Sequence, residues 1–467
     1  MKRRLTAAAD AAAVAALTFA VFVALFGGFN LQLGPVPVSL HGAGRLLFIG
    51  LALIAIRHAA NPEDPLHRKI ARVYRTRREG SALAVAPAAV ATRLVALLAG
   101  YMAVNTIGPA PDLVGFTLSS RPLLNLPARF DAGWYGGIAL DGYSFQGRWD
   151  RQQNVAFFPA FPMAMRIAGY PLGAFAPRVP RDVRIARLLW AGGLISILAF
   201  AWAGIYIWRL TAEMVGEPRA PAAVALLAAY PFAVFFSAAY TESLFLLGCA
   251  GCVYHFRREA WLPAATWGLL VGLTRPNGCF LSVVLAVMLL ERVRTVTAWP
   301  SSQLARAILA AAAPGIGMLI YSAYVHRLTG DFFGWARLHE TWGRSFSGLA
   351  PVERAYGWLV DEGLLTVVQN VPYDTLNTLG LIFALAMVWP VARRLGVAFA
   401  LFILVNVLPP LLAGGVLSMG RITSTLFPVF IALAAVMPPR AVPPLVTAFA
   451  IGQGLAAALF FTWRPLF

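Results

Sequence analysis

The sequence predicts an all-α polytopic membrane protein, and three observations carry that expectation. Hydrophobic residues make up 59% of the 467 and charged residues only 12%, whereas a soluble domain is about half apolar and about a quarter charged. Mean hydropathy is +0.70. The apolar residues also come in unbroken runs, such as AAAVAALTFAVFVALFGGF from Ala11 to Phe29, and about 20 such residues span a bilayer core as helix. Helix is the expected form because lipid offers backbone N–H and C=O groups no partner outside the segment.

The spans follow in order. MKRR and then the first apolar run imitate a signal peptide, but no small-x-small site closes the run before polar sequence begins. An uncleaved first helix over about 11–29 is expected, with a cytoplasmic N-terminus. A second helix over about 38–56 returns, which puts RKIARVYRTRR (Arg68 to Arg78) inside, as the positive-inside rule requires. A third, over about 81–103, exits again and leaves about 104–187 external. The fourth ends at Trp208-Arg209, and later internal breaks carry Arg257-Arg258, Arg292 with Arg294, Arg393-Arg394 and Arg440. External breaks are SAAYTES, TRPNG, about 326–376 and GGVLSMGRIT, and strict alternation gives about thirteen crossings (11–13 allowing for error) with WRPLF outside. Segments near 261–273 and 279–291 are short and suit half-membrane helices around a cavity. Three regions result: N-terminal helices with a basic loop (1–103), an external loop (104–187) and a helical bundle with external loops (188–467).

Net charge is +18, with Lys2 and Lys69 the only lysines. In a soluble chain this would suggest nucleic acid. Here loop topology accounts for the arginines, and no nucleic-acid partner is expected. Three cysteines make no disulfide framework. Cys249 and Cys252 lie inside SLFLLGCAGCVYHF with no strand before them, so they read as small helix-packing residues.

Polar clusters with chemical potential all fall on the outer side. In RFDAGWYGGIALDGYSF (Arg129 to Phe145), Asp131 sits among aromatics. It suits a general base whose pKa partial desolvation would raise. The competing reading is an N-cap of a short interfacial helix. Asp141 lies ten residues on, so one helix would not present both acids on one face. FFPAFPMAMR (Phe157 to Arg166) reads either as a re-entrant segment that grips an acyl or prenyl chain or as an aromatic belt anchor. In YPFAVFFSAAYTESLFLLG, Glu242 follows Tyr240 at a membrane turn, where a carboxylate is costly and needs a partner, a role or a place in a helix's first turn. Arg275 in LTRPNGCF and Arg421 in SMGRITSTLFP suit a phosphate, bidentately, or snorkel to the interface. TGDFFGWARLHETW brings Asp331, His339 and Glu340 outside, His339 either assisting with phosphate or metal or simply solvated. No Walker loop, GxGxxG after a strand, HExxH or GxSxG is present, so nucleotide-driven chemistry and hydrolase triads have no support.

In order, FDAGWYGGIALDGY, AFFPAFP, YPFAVFFSAAYTESLF, LTRPNG, TGD with Trp342, and RITSTLFP resemble the PIG-V-like branch of GT-C polyprenyl-phosphate-sugar glycosyltransferases, over about 125–430. The resemblance implies a GT-C-like bundle whose long external first loop bears interfacial helices. It also implies a membrane hexosyltransferase, of mannose in the first instance. The enzyme would move sugar from a polyprenyl-phosphate donor to a lipid or glycan acceptor hydroxyl, inverting at the outer face of a cell membrane. Asp131 then matches the family's first-loop aspartate, the candidate base; Glu242 matches its YTES glutamate, a second catalytic candidate. Arg275 and Arg421 become candidates for the donor phosphate, and Tyr135, Asp141, Tyr240, Asn277, Asp331 and His339 for further substrate contacts. Two positions depart from the pattern: Phe130 stands where tryptophan is usual, and Ile422 where tyrosine often follows the arginine. No cofactor is implied, and no ligand spacing supports a divalent metal. Two other readings share the architecture, a lipid-linked-sugar transporter or flippase and a transferase of another polyprenyl-linked sugar such as arabinofuranose. Against the transporter, no inverted repeat is evident.

Overall fold

The computed structural model describes residues 43–60, 82–111, 115–295 and 300–466, with the backbone of 29–33 and 36–40 and the helical positions Ala12, Ala13, Ala16 and Ala20. It divides into two compact units, Met1–Ala84 and Val85–Phe467.

In the first unit, β1 (Phe29–Leu33) and β2 (Val36–Leu40) pair antiparallel, Phe29 opposite Leu40 and Leu33 opposite Val36, and α1 (Ala43–Ala60) follows. The expected second helix therefore begins at Ala43 rather than near 38. FNLQL alternates apolar and polar residues at the strand period of two, and Pro37 carries no N–H for a helical ladder. Most of the expected first helix and the basic block Arg68–Arg78 lie outside the described residues.

Among the described residues of the second unit, the regular elements are all helices. Its first part contains α2 (Val85–Thr106), α3 (Ala132–Asp141), α4 (Ala160–Gly169), α5 (Arg181–Met214), α6 (Ala220–Ala229), α7 (Glu242–Arg257), α8 (Trp261–Gly272), α9 (Leu281–Val293) and α10 (Ser301–Thr329). Three shorter helices, α11 (Gly334–Leu338), α12 (Ala350–Glu362) and α13 (Leu364–Asn370), lead into α14 (Pro372–Ala386), α15 (Val388–Leu395) and α16 (Val397–Gly414). The chain closes with α17 (Met419–Ser424), α18 (Phe427–Val436) and α19 (Val442–Phe461).

Among the described residues, seven helical stretches are long and apolar enough to cross a bilayer. They become eight if Glu217–Ala229 and Pro231–Ser237, bent by 81°, form one broken span. The protein is thus a multi-pass membrane bundle, with fewer full-length spans among these residues than the thirteen crossings that strict alternation gives. Two bounds move. Helix α5 runs on past Arg209 to Met214, and Pro276–Val293 is a full 18-residue stretch rather than a half-span. By contrast α8 stays short, at 12 residues.

Close packing comes from small residues, as in other membrane bundles. Helix α8 packs against α7 and α10. A Cβ at Gly272 would fall onto the carbonyl of Pro314, so this approach requires glycine. Cys249 and Cys252 are fully buried in α7, where the Cys252 thiol donates to the Ala264 carbonyl at 3.2 Å. They pack, as the sequence suggests.

The break after α6 positions the site. Pro231 has no N–H to continue the ladder, and the chain turns there. Fully buried Arg93 of α2 donates to the carbonyls of Ala228 and Ala233, and Gln453 of α19 donates to those of Ala228 and Tyr230 at 2.9 Å. The guanidinium also lies 4.7 Å from the Phe200 ring. Broken backbone survives in a membrane protein only where side chains satisfy the freed groups in this way. The 3-10 turn Pro231–Ser237 then delivers Tyr240 and Glu242 to the head of α7.

Candidate active site

Two short segments meet the head of α7, and each begins with a residue in left-handed backbone. Phe130 has φ 45° two residues before α3, and Ser418 has φ 61° immediately before α17. Such conformations are costly for residues other than glycine and persist where packing over-determines them. Phe130 is held between the rings of Phe460 at 5.7 Å and Trp463 at 4.7 Å.

Asp131 opens α3, yet its carboxylate makes no capping hydrogen bond. Its Oδ2 accepts from Arg421 Nη1 at 2.6 Å instead. The N-cap alternative is therefore overturned by geometry. The Asp131 amide donates to Tyr240 Oη at 3.1 Å, and that hydroxyl donates to the Arg129 carbonyl at 3.4 Å. The Asp131 side chain is 21% exposed, against 8% for Arg421, so one carboxylate oxygen is pinned while the group still reaches an opening.

Glu242, the first residue of α7, is fully buried. Its Oε1 accepts from Arg275 Nη1 at 2.7 Å and from Arg421 Nε. Its Oε2 is buried without a hydrogen-bond partner. A lone carboxylate at this depth is costly to bury, and two guanidiniums supply the partners it needs. Arg421 thus bridges both acids, and it lies 4.5 Å from the Tyr240 ring. Gly420 beside it has no alternative, since a Cβ there would fall onto the Phe232 ring. Neither arginine snorkels.

Electrostatics follow from the burial. Desolvation pushes the Tyr135 phenol up to about 12, with Arg421 and Arg275 opposing and the two acids adding. Tyr240 is raised well above its ordinary value, again chiefly by burial. Both phenols are neutral donors at physiological pH. Burial lowers Arg275 from its ordinary value, and the charge of Glu242 offsets part of that.

An aromatic layer adjoins the acids. Trp134 stacks on Phe157 at 5.6 Å, and Trp342 meets both edge-on, at 5.8 and 5.7 Å. Tyr135 packs edge-on against Phe157 and Phe161, both at 5.3 Å. The segment Phe157 to Arg166 is therefore a wall of the site: the Phe157 carbonyl accepts from the hydroxyls of Tyr143 and Tyr321 at 2.8 and 2.9 Å.

Of the other candidates, Asp141 ends α3 in an ion pair with Arg181 at 2.6 Å, with both side chains at least half exposed. That partner lowers its pKa. Asn277 donates to Asn406 Oδ1 at 2.7 Å, and Asp331 Oδ1 accepts from the Phe333 amide at 2.8 Å, a local turn. His339 is half-buried beside Trp342, with ring centres 6.2 Å apart, and its Nε2 lacks a partner. Burial, with Arg344 and Arg275 near, depresses it to about 4.

Sequence reasoning missed Arg344. It follows Gly343, whose φ of 74° ends the turn His339–Trp342, and its Nη2 donates to the Leu417 carbonyl at 3.2 Å. One more arginine in a chain this rich in arginine carries no sequence signal. Among the described residues, no group of three or more His, Cys, Asp and Glu side chains is placed to hold a metal ion.

No curated protein matches the chain. Residues 108–309, which carry Asp131, Glu242 and Arg275, match the family model of Mannosyltransferase (PIG-V), so this part of the chain is similar to that family of mannosyltransferases.

Proposed function

We propose that the protein transfers a sugar, mannose in the first instance, from a polyprenyl-phosphate donor to a hydroxyl of a lipid or glycan acceptor, on the outer face of the membrane and with inversion. The observation that carries this reading is the bridged pair of acids. Asp131 has one oxygen held by Arg421 and reaches an opening, while Glu242 is sealed between Arg421 and Arg275.

In this reading the acceptor hydroxyl gives its proton to the Asp131 carboxylate as its oxygen attacks C1 of the sugar. The bond from C1 to the donor's phosphate oxygen breaks, and polyprenyl phosphate leaves with that electron pair. A single in-line displacement inverts C1. Glu242 acts at one remove, orienting Arg421 and so Asp131. The guanidiniums are in place before charge develops on the departing phosphate, and that preorganisation is where most of the rate gain arises. The aromatic layer of Trp134, Phe157 and Trp342 offers the flat apolar face on which a sugar ring stacks. A polyprenyl-phosphate sugar brings its own leaving group, so no nucleotide site is needed.

The test is transfer of radiolabelled mannose from polyprenyl-phosphate mannose by membranes containing wild type or Asp131→Asn at equal expression. A positioned base contributes about 10²–10⁴-fold, so the variant is expected to lose at least about 100-fold in kcat with KM little changed. Near-normal kcat in the variant would remove Asp131 as the base. No incorporation with wild type would shift weight to another donor sugar or to translocation of the donor.

A further inference from the structure

Three guanidiniums lie near two carboxylates, that of Arg421 buried and those of Arg275 and Arg344 half-buried, and their pairing is unequal. Arg421 serves Asp131 and Glu242, and Arg275 serves Glu242. Arg344 forms no ion pair among the described residues; its one side-chain hydrogen bond goes to the Leu417 carbonyl, just ahead of α17. The Ser347 amide donates to the Leu412 carbonyl at 2.9 Å, so the chain just after Arg344 is tied to α16. The guanidinium is thereby held, and it retains donors with no hydrogen-bond partner among the described residues. Burial, with Arg421 and Arg275 near, brings it down to about 10, and only Asp131 opposes. Three cations against two anions leave one cation, Arg344, without an ion-pair partner among the described residues, and such a half-buried guanidinium is open to an incoming anion. The unpartnered His339 Nε2 adds a second free polar atom beside it, on the turn that Arg344 closes.

We propose that Arg344 is the principal contact for the phosphate of a polyprenyl-phosphate ligand, with His339 Nε2 beside it. On this assignment Arg275 and Arg421 serve chiefly to hold Glu242 and Asp131. The assignment rests on the transferase reading for the identity of the ligand. It does not rest on that reading for the anion site, because Arg344 is without an ion-pair partner among the described residues whatever the reaction. Arginine suits the task through its planar fork of donors, which matches two phosphate oxygens at once.

The experiment measures binding of farnesyl phosphate, farnesol and inorganic phosphate to the full chain in lipid nanodiscs, for wild type, Arg344→Ala and Arg344→Lys. Mannose transfer is assayed on the same samples. Hydrogen bonds to charged groups are worth about 1.5–3 kcal/mol, so Arg344→Ala is expected to weaken farnesyl phosphate by about 10- to 100-fold. Arg344→Lys should recover part of that, and farnesol affinity should stay level in all three. An equal loss for farnesol would mark Arg344 as a packing residue and overturn the proposal. Unchanged farnesyl phosphate binding in Arg344→Ala would also overturn it, and wild-type mannose transfer would then leave the transferase reading standing. Inorganic phosphate bound as tightly as farnesyl phosphate would overturn the lipid assignment. Arg344-dependent binding without transfer by wild type would instead retain the phosphate site and remove the transferase reading.

Discussion

Replacing Glu242 by Gln keeps the side chain's shape and removes the charge between Arg275 and Arg421. Arg275 Nη1 lies 2.7 Å from Glu242 Oε1, and Arg421 Nε donates to the same oxygen. With charge centres about 4 Å apart, each pair attracts by about 4 kcal/mol at an effective dielectric near 20. Desolvation offsets much of this while the network is whole. Once one member is removed, its partners stay charged and buried, and the loss is about 3–5 kcal/mol. Glu242→Gln is therefore expected to cost the protein about that much stability. Arg275→Met alone should cost a similar amount, because it takes one of two cations from a carboxylate that is fully buried. The double variant removes a stranded cation along with the acid, so its cost should fall short of the sum by about 2–3 kcal/mol. Unfolding of the four purified proteins in one detergent, followed by tryptophan fluorescence, completes the cycle. Costs that add within about 0.5 kcal/mol would show that the two residues do not share a network, and the argument that Arg275 serves to hold Glu242 would fall with it.

Two further predictions concern residues away from the acids. Arg93→Ala frees the carbonyls of Ala228 and Ala233 at the bend after α6 and is expected to destabilise by about 2–4 kcal/mol, because buried acceptors lose their partners. Arg93→Lys, with fewer donors to share between two carbonyls, should fall between, and normal stability in Arg93→Ala would refute the role given to this bend. His339 has its pKa depressed from 6.5 to about 4, so the unfolded chain binds a proton over that window that the native one refuses. Stability should therefore fall as pH drops from about 6.5 to 4, by about 3 kcal/mol in all. His339→Gln should remove that component of the slope, and a variant with the wild-type pH profile would show that His339 is not held neutral.

Much of the site was legible in advance because its members sit in short polar interruptions of a long apolar sequence. A carboxylate at a membrane turn is expensive enough to need a reason, which is why Glu242 stood out without any knowledge of its partners. What each residue does there was not legible. Asp131 can cap a helix or face an arginine 290 positions away, and local sequence weighs both alike. Arg275 and Arg421 offered snorkelling as the simpler reading, and only the fold turns both inward onto one carboxylate.

The sequence by itself determined that the chain is a helical membrane bundle with its chemistry at segment ends, because hydropathy and backbone satisfaction in lipid leave few alternatives. It did not determine where β1 and β2 displace the second helix, since weak alternation competes with an apolar run. Nor did it give the status of Arg344, whose meaning lies in the carboxylate it lacks. Pairing among buried charges depends on distances of a few ångströms between segments far apart in the chain. Such distances are set by packing, by Gly420 against Phe232 and by Arg93 holding the bend before Tyr240. That is the level at which the tertiary structure alone decided what the site is.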